Sequence, residues 1–226
     1  MTGLSEPGMP MGGAENVPAQ PHPQSWRLLL TLGGSGALAG LLIVLAYDWT
    51  RPRIDAHNAQ LLRSAIEEVL HSPQHTDTIY LDRGALTDKP AAETDRSKLD
   101  RIYKGYAADG RVVGYAISTS EAGFADQIGL IFGYDPAQKQ VLGLKIVASK
   151  ETPGLGDKIE RPSFTAQFAG RIAPLVGVKG KVPPGDNSAV EMITGATISS
   201  RTVIREINKA VERWQPFLDK YQRGPK

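Results

Sequence analysis

The sequence predicts an α+β fold, with a mostly antiparallel sheet and flanking helices, preceded by one N-terminal transmembrane helix. Three observations support this prediction. An uncharged apolar run occupies residues 28–47, four segments of strand-like composition lie between residues 101 and 149, and an amphipathic pattern runs through residues 203–221. The first is typical of a membrane span, the second of a sheet, and the third of a helix that packs on it.

The composition excludes several functional classes. The chain of 226 residues has no cysteine, which rules out disulfides, zinc–thiolate sites, iron–sulfur ligation and a cysteine nucleophile. Its 26 Lys and Arg against 24 Asp and Glu give a formal charge of +2, so the overall charge does not indicate nucleic-acid binding. The histidines lack metal-ligand spacing, and we expect no metal site. Any redox chemistry must therefore come from a bound cofactor.

The N-terminal part is predicted to be a tail followed by a membrane anchor. Residues 1–25 are rich in Pro and Gly without apolar periodicity, which indicates a disordered tail. Residues 26–49 form the predicted anchor, because the apolar run is long enough to span a hydrocarbon core of ~30 Å. The run exceeds the ~7–15 apolar residues of a signal peptide, so we expect it to remain uncleaved. Arginines flank it on both sides, and charge alone leaves its orientation open.

Residues 50–98 are predicted to form a membrane-proximal helix and a loop. Apolar residues recur with helical spacing from Ile54 to Leu70. The polar and irregular stretch 82–98 is expected to be a surface loop.

Residues 99–221 are predicted to form the main domain, followed by a C-terminal tail at 222–226. The strand candidates are 101–107, 111–120, 127–134 and 140–149. Their short connections favour antiparallel pairing. A short helix is expected at 162–168, and the long closing helix has an apolar stripe made of Val203, Ile204, Ile207, Val211, Trp214, Leu218 and Tyr221.

Two local patterns stand out from ordinary turns and caps. Glu151-Thr152-Pro153-Gly154-Leu155-Gly156-Asp157 directly follows a strand candidate, and its glycines allow a ligand to approach the backbone. Thr194-Gly195-Ala196-Thr197-Ile198-Ser199-Ser200 leads into the closing helix, whose free amides and positive dipole end suit a phosphate. Taken singly, the first pattern is usually a turn and the second an N-cap, and Lys179 and Lys181 are usually solvated.

Together, in this order and behind one anchor, the two patterns resemble the FMN-binding domain of the G subunit of the Rnf (Rsx) ion-translocating electron-transport complex. The related C subunit of the sodium-translocating NADH:quinone reductase has the same type of domain. The resemblance extends from Trp26 to Tyr221 and depends on the segments KETPGLGDKIE and TGATISS. This pair is much more specific than a glycine-rich loop or a capping pattern alone.

The resemblance implies an electron-relay flavoprotein subunit that carries one FMN covalently. Thr197, the last residue of the TGAT motif, would bear the flavin through a phosphoester bond. A flavin transferase would install it, and ferredoxin and NAD would be handled by other membrane and peripheral subunits of the same complex. The chain would have no catalytic residue of its own. It would lie in the cytoplasmic (inner) membrane as a single-pass protein with its C-terminal domain on the periplasmic side.

The flavin-binding residues that follow from the resemblance lie in the two motifs. They are Thr197, Thr194, Gly195 and Ala196 in the second motif, Glu151, Thr152, Pro153, Gly154, Leu155 and Gly156 in the first, and, for its charge, the nearby Lys179. One position departs from the pattern that the transferase recognises, since Glu191 stands where Asp is usual.

Two other functions stay open from the sequence. The domain can bind FMN without a covalent bond and act as a membrane-anchored flavin reductase or sensor, and the intact Thr197 argues against this. It can also be a flavin-free scaffold subunit, which only Glu191 favours.

Overall fold

A computed structural model describes residues 25–91 and 95–223. The predicted tails therefore lie outside the described residues, apart from Ser25, Gln222 and Arg223. The chain divides into two compact units, Met1–Ile54 and Asp55–Lys226.

The first long element is helix α1, Ser25–Val69, which continues through Pro52. Within the described chain it is the one helix that is long and apolar enough to cross a membrane. Every residue from 26 to 61 is exposed, as expected where lipid rather than protein is the neighbour. The predicted anchor thus coincides with a helix of suitable length and composition.

The second unit is built on a six-stranded antiparallel sheet with the strand order β2-β1-β3-β4-β5-β6. Its strands are β1 His75–Asp82, β2 Ala85–Thr87, β3 Arg101–Tyr106, β4 Val112–Ala122, β5 Gln127–Asp135 and β6 Gln140–Ala148. A separate parallel pair consists of β7, Val176–Lys179, and β8, Ala189–Met192. Between β6 and β7 lie the short helix α2, Pro162–Thr165, and two 3₁₀ turns, Gly156–Glu160 and Ala166–Phe168. The α+β fold class is confirmed.

Both faces of the sheet are covered. Alternate residues of a strand point to opposite faces, and neighbouring Ala116 and Ile117 accordingly belong to different clusters of buried side chains. Ala116 packs with the end of α1, where Val69 approaches so closely that a Cβ at Gly133 would lie 2.2 Å from its carbonyl oxygen. Ile117 belongs to the larger cluster, which α3 closes.

Helix α3, Thr197–Gln222, covers the larger core. Its predicted apolar stripe is confirmed, because six of the seven residues are buried and Tyr221 is partly buried against the core. The stripe fixes which side of the helix meets the sheet, and it leaves the first turn of α3 at the edge of the domain, beside the loop that follows β6.

Four strands were not predicted from the sequence. A loop was expected over 82–98, but β2 lies in this segment, and β1 precedes it and pairs with β3. No strand was expected in 176–192 either, where β7 and β8 pair. Strands of three or four residues are too short to show an alternating pattern, and β1 is only partly buried, so its polar and apolar residues do not separate clearly.

Candidate functional site

The two motif segments meet at a cavity of about 340 Å³ at the start of α3. Small-molecule sites have volumes of ~300–1,000 Å³, so the cavity is large enough to hold part of a cofactor. It is lined by Phe124, Glu151, Thr152, Leu155, Gly156, Gly195, Ala196, Thr197, Ile198 and Ser199.

The first motif forms a tight loop between β6 and a 3₁₀ turn. The amide of Leu155 donates to the carbonyl of Thr152 over 3.1 Å, and Gly154 adopts φ +78°, a conformation that favours glycine. The loop holds the side chain of Leu155 outward, where 48% of the residue is exposed beside the cavity. Pro153 and Gly154 shape the loop, but they do not line the cavity.

The second motif forms the turn between β8 and α3. Gly195 has φ +86°, and a Cβ there would touch Leu155 at 3.5 Å, so the two motifs are in direct contact. The amide of Ser200 donates to the carbonyl of Ala196 over 2.9 Å. The amides of the preceding residues 197–199 therefore have no carbonyl partner within the helix and remain available to an anion.

The structure separates the hydroxyl groups of this turn. The Ser199 hydroxyl donates to Glu151 over 2.9 Å, and the Ser200 hydroxyl accepts from the Ile193 amide over 3.1 Å. Both serines are buried. Thr197 is half-exposed on the cavity wall, and its hydroxyl has no hydrogen bond to any residue that the structure describes. It does not cap α3 either, because Ala196 is the N-cap.

Glu151 is a buried residue of the cavity wall. Its Oε1 accepts from the amides of Phe124 and Ala125 over 2.7 and 3.1 Å, and its Oε2 accepts from Ser199. One side chain thus connects the β4–β5 loop, the first motif and α3. Beside it, Lys150 Nζ lies 3.5 Å from Asp126 Oδ2.

Three exposed apolar side chains surround the opening. Phe124 is 67% exposed, Ile198 52% and Leu155 48%. Together they form an apolar rim around a site whose inner end has a free hydroxyl and helix amides. Such a site suits a flat apolar ring system with an anionic group at one end.

Electrostatic effects at the rim are local. The amide of Gln127 donates to Asp126, and with the charge of Lys150 it holds the pKa of that carboxyl below its usual value. The predicted Lys179 is exposed at the end of β7, opposite Met192 in the pairing, and it does not line the cavity. Thr194 is exposed and also lies outside the lining.

Sequence reasoning missed three lining residues, Phe124, Ile198 and Ser199. Phe124 lies in the β4–β5 turn, far from both motifs along the chain, and nothing in its sequence context indicates a site. Ile198 does carry a usable signal, because it is an apolar residue outside the predicted stripe of α3. Ser199 was recognised only as a possible N-cap.

Comparisons with known proteins agree with this geometry. A family model described as an FMN-binding domain matches residues 123–212. The G subunit of the Na(+)-translocating ferredoxin:NAD(+) oxidoreductase complex of Acetobacterium woodii is 30% identical over 199 residues, which cover 84% of this chain and 93% of that one. The G subunit of the ion-translocating oxidoreductase complex of Methanosarcina acetivorans is 28% identical over 192 residues, 82% of this chain and 92% of that one. The crystal structure of Shewanella oneidensis NqrC has the same fold, with a TM-score of 0.56 at 20% identity over 70% of this chain and 88% of that one.

The fold, the cavity and the family model define an FMN-binding-domain protein. The coverage and identity of the relatives then specify the family: the chain belongs to the G subunits of the ion-translocating (Rnf-type) oxidoreductase complexes. The resemblance seen in the two motifs is confirmed.

Proposed function

We propose that this chain is an electron-relay subunit that carries FMN covalently on Thr197. The observation that carries the proposal is the state of the Thr197 hydroxyl. Of the hydroxyls at positions 197, 199 and 200, it alone faces the cavity without a hydrogen bond inside the described part of the chain. A group that must form a bond to a ligand has to be both accessible and unpaired.

The residues of the cavity fit FMN. The free amides at the start of α3 would bind the flavin phosphate, helped by the positive end of a helix of 26 residues. Phe124, Leu155 and Ile198 would cover the ring and exclude water from part of it. When bound, flavin supplies the electron chemistry by accepting and passing on electrons, whereas the protein sets its position and surroundings.

Attachment requires a donor of FMN and a separate enzyme, since threonine is a weak nucleophile by itself. With FAD as the donor, the Thr197 oxygen forms a bond to the phosphorus of the FMN half. The pyrophosphate bond of FAD breaks and AMP leaves. The hydroxyl proton passes to a base of the transferase. Gly195 and Ala196 leave the approach to the hydroxyl unobstructed.

The names of the relatives support a place in a membrane complex that couples electron transfer to ion translocation. We propose that α1 is the single membrane span and that the second unit lies on the periplasmic side, where the flavin transferase acts. The other membrane and peripheral subunits would supply the ion pathway, since the uncharged run 28–47 of α1 offers none. In intact spheroplasts, external protease should digest the second unit, and protection of this unit would contradict the proposed orientation.

The attachment site is tested by co-expressing the full-length chain with a flavin transferase. We expect one added FMN by intact mass, mapped to the peptide that contains Thr197, and a fluorescent band on a denaturing gel. Thr197→Ala should lose both. Ser163→Ala is the matched control, since it removes an exposed hydroxyl that lies outside both motifs and outside the cavity lining, and it should retain both. FMN mapped to Ser199 or Ser200, or retained by Thr197→Ala, would contradict the assignment.

A further inference from the structure

Glu151 occupies a position where three segments of the site meet. Its carboxylate is 6% exposed and accepts hydrogen bonds from the β4–β5 loop and from α3. We propose that Glu151 is a positioning residue, which holds the Phe124 rim and the first turn of α3 in the arrangement that attaches and covers the flavin. The inference rests on the proposed function of Thr197.

Both carboxyl oxygens of Glu151 already accept hydrogen bonds from the protein. Oε1 accepts from two consecutive amides, those of Phe124 and Ala125, and Oε2 accepts from the Ser199 hydroxyl. Bonds to a carboxylate are roughly twice as strong as bonds between neutral groups. Glu151 therefore acts on the flavin through the residues that it orients.

Each of these bonds has a direct counterpart at the cavity wall. The two amides belong to the turn that presents the Phe124 ring, and Ser199 lies one residue beyond Ile198 and two beyond Thr197. Phe124, Thr197 and Ile198 all line the cavity. When the carboxylate is removed, the turn and the helix start lose their common acceptor, so the distance between the apolar cover and the attachment oxygen is no longer fixed.

Two glycines show that the backbone is fitted around this carboxylate. A Cβ at Gly123 would lie 2.2 Å from Oε1, and a Cβ at Gly156 would lie 2.6 Å from Oε2. Both distances are shorter than any real contact of a Cβ atom. The glycines lie in the two loops that flank the cavity, so both loops come into backbone contact with the same side chain.

The test compares Glu151→Ala, Glu151→Gln and Ser199→Ala with the parent, all as full-length chains in detergent. The first readout needs no flavin: amide hydrogen exchange of the peptide that contains Phe124 and Ala125. We expect exchange to be at least about tenfold faster in Glu151→Ala. The effect should be smaller in Glu151→Gln, whose amide oxygen still accepts from the two amides. Glu160→Gln is the control, since this exposed carboxyl lies in the same segment and should exchange like the parent.

The second readout is flavin attachment and the absorption spectrum of the attached flavin. We expect Glu151→Ala to be flavinylated at least about tenfold more slowly, because the loss of one charge-assisted bond is enough for a change of this size and the variant loses three. We expect Ser199→Ala to fold like the parent and to shift the flavin absorption bands. Glu151→Gln should recover most of the attachment rate of the parent, because it keeps an acceptor oxygen for the two amides. If the negative charge itself were what mattered, Glu151→Gln would be as slow as Glu151→Ala.

The outcomes separate this inference from the proposed function. If the parent carries FMN on Thr197 while all three variants exchange, attach and absorb like the parent, Glu151 has no positioning role and the Thr197 assignment stands. If the parent takes no flavin, the proposed function fails, and the exchange data still decide whether Glu151 holds the loop. Should Glu151→Ala fail to fold, Glu151→Gln and Ser199→Ala decide the question by the same readouts.

Discussion

Two buried glutamates, Glu151 beside the start of α3 and Glu206 within it, have very different surroundings. Glu151 is 6% exposed and accepts three hydrogen bonds. Glu206 is 0% exposed, and neither of its carboxyl oxygens has a hydrogen-bond partner among the residues that the structure describes. The first glutamate lies at the functional end of α3, and the second lies in the body of the helix.

The pKa of Glu206 reflects this isolation. Burial, together with the charge of Glu121, raises it to about 8. Thr119, Arg205 and Lys209 oppose the shift, although the Thr119 hydroxyl does not reach hydrogen-bond geometry. A buried carboxyl without donors therefore keeps its proton, whereas the hydrogen bonds that Glu151 accepts fix the positions of the groups that donate them. The comparison teaches that burial alone does not mark a functional acid, and that the pattern of donors does.

The largest expected effect comes from replacing each glutamate by leucine. Glu151→Leu leaves two amides and the Ser199 hydroxyl without their acceptor, so we expect the free energy of unfolding to fall by about 3 kcal/mol. Glu206→Leu removes a group that has no partners to lose, and we expect no loss, or a gain of about 1 kcal/mol. Urea denaturation of the full-length chain in detergent, followed by near-ultraviolet circular dichroism, measures both. Equal losses in the two variants would show that the two sites do not differ.

The second prediction concerns pH. The pKa of Glu206 is about 8 in the folded protein against an ordinary value of 4.5, so within this window the folded chain retains a proton that the unfolded chain has lost. The free energy of unfolding must then decrease as the pH rises from 5 to 8, by at most about 1.4 kcal/mol per pH unit from this group. Glu206→Gln should remove this slope, and parallel stability–pH curves for the parent and the variant would contradict the prediction.

Glu121, which lies on β4 beside Glu206, titrates in a different pH range and does not contribute to this slope. Although burial raises its pKa, the ion pairs with Lys209 and Arg205 lower it overall. A carboxyl whose pKa is lowered contributes stability that is lost only as the pH falls through its folded-state pKa. Its effect therefore appears below the window in which Glu206 titrates.

The third prediction tests the room around Glu151. In Gly156→Ala the new Cβ would lie 2.6 Å from the carboxylate oxygen and 2.7 Å from the Cβ of Glu151, and we expect a loss of about 1–3 kcal/mol from overpacking. Gly129→Ala is the matched control, because its Cβ would lie 3.4 Å from that of Ala148, at the edge of ordinary contact. Thermal melts of the two flavin-free variants should differ. If they melt together, the first motif can move away from Glu151 at little cost.

The sequence was informative where a pattern is long or a motif specific. The anchor, the strands β3 to β6 and the stripe of α3 have enough residues for their periodicity to be unambiguous. The two motifs meet at one cavity, and Leu155 and Thr197 both line it.

The sequence was uninformative where the structure depends on contacts between distant segments. Phe124 joins the cavity because the β4–β5 loop is tied to Glu151, a contact between residues 27 positions apart. Likewise, the hydroxyl of Ser199 is bound to Glu151, a residue 48 positions away. The two glutamates cannot be told apart by sequence, since the difference between them is the number of donors that tertiary folding brings to each.

The smallest expected effect on stability belongs to Leu155, which lies in the same loop as Glu151 but points to solvent. With 48% of the residue exposed, Leu155→Ala removes little buried area, and we expect the free energy of unfolding of the flavin-free protein to fall by less than about 1 kcal/mol.

The flavin should respond to Leu155→Ala instead, because the apolar rim that covers it is reduced and water reaches the ring. Water stabilises the charged reduced form, so the reduction potential should become more positive, by about 20 mV for each 1 kcal/mol of altered solvation in a two-electron step. Redox titration of the flavinylated parent and variant, read at the flavin absorption bands, measures the shift. Val112→Ala is the control, since Val112 is an apolar residue that is 44% exposed and lies outside the cavity lining. An unchanged potential together with unchanged stability would show that the first motif does not cover the flavin, and its role would then be confined to the turn that presents Glu151.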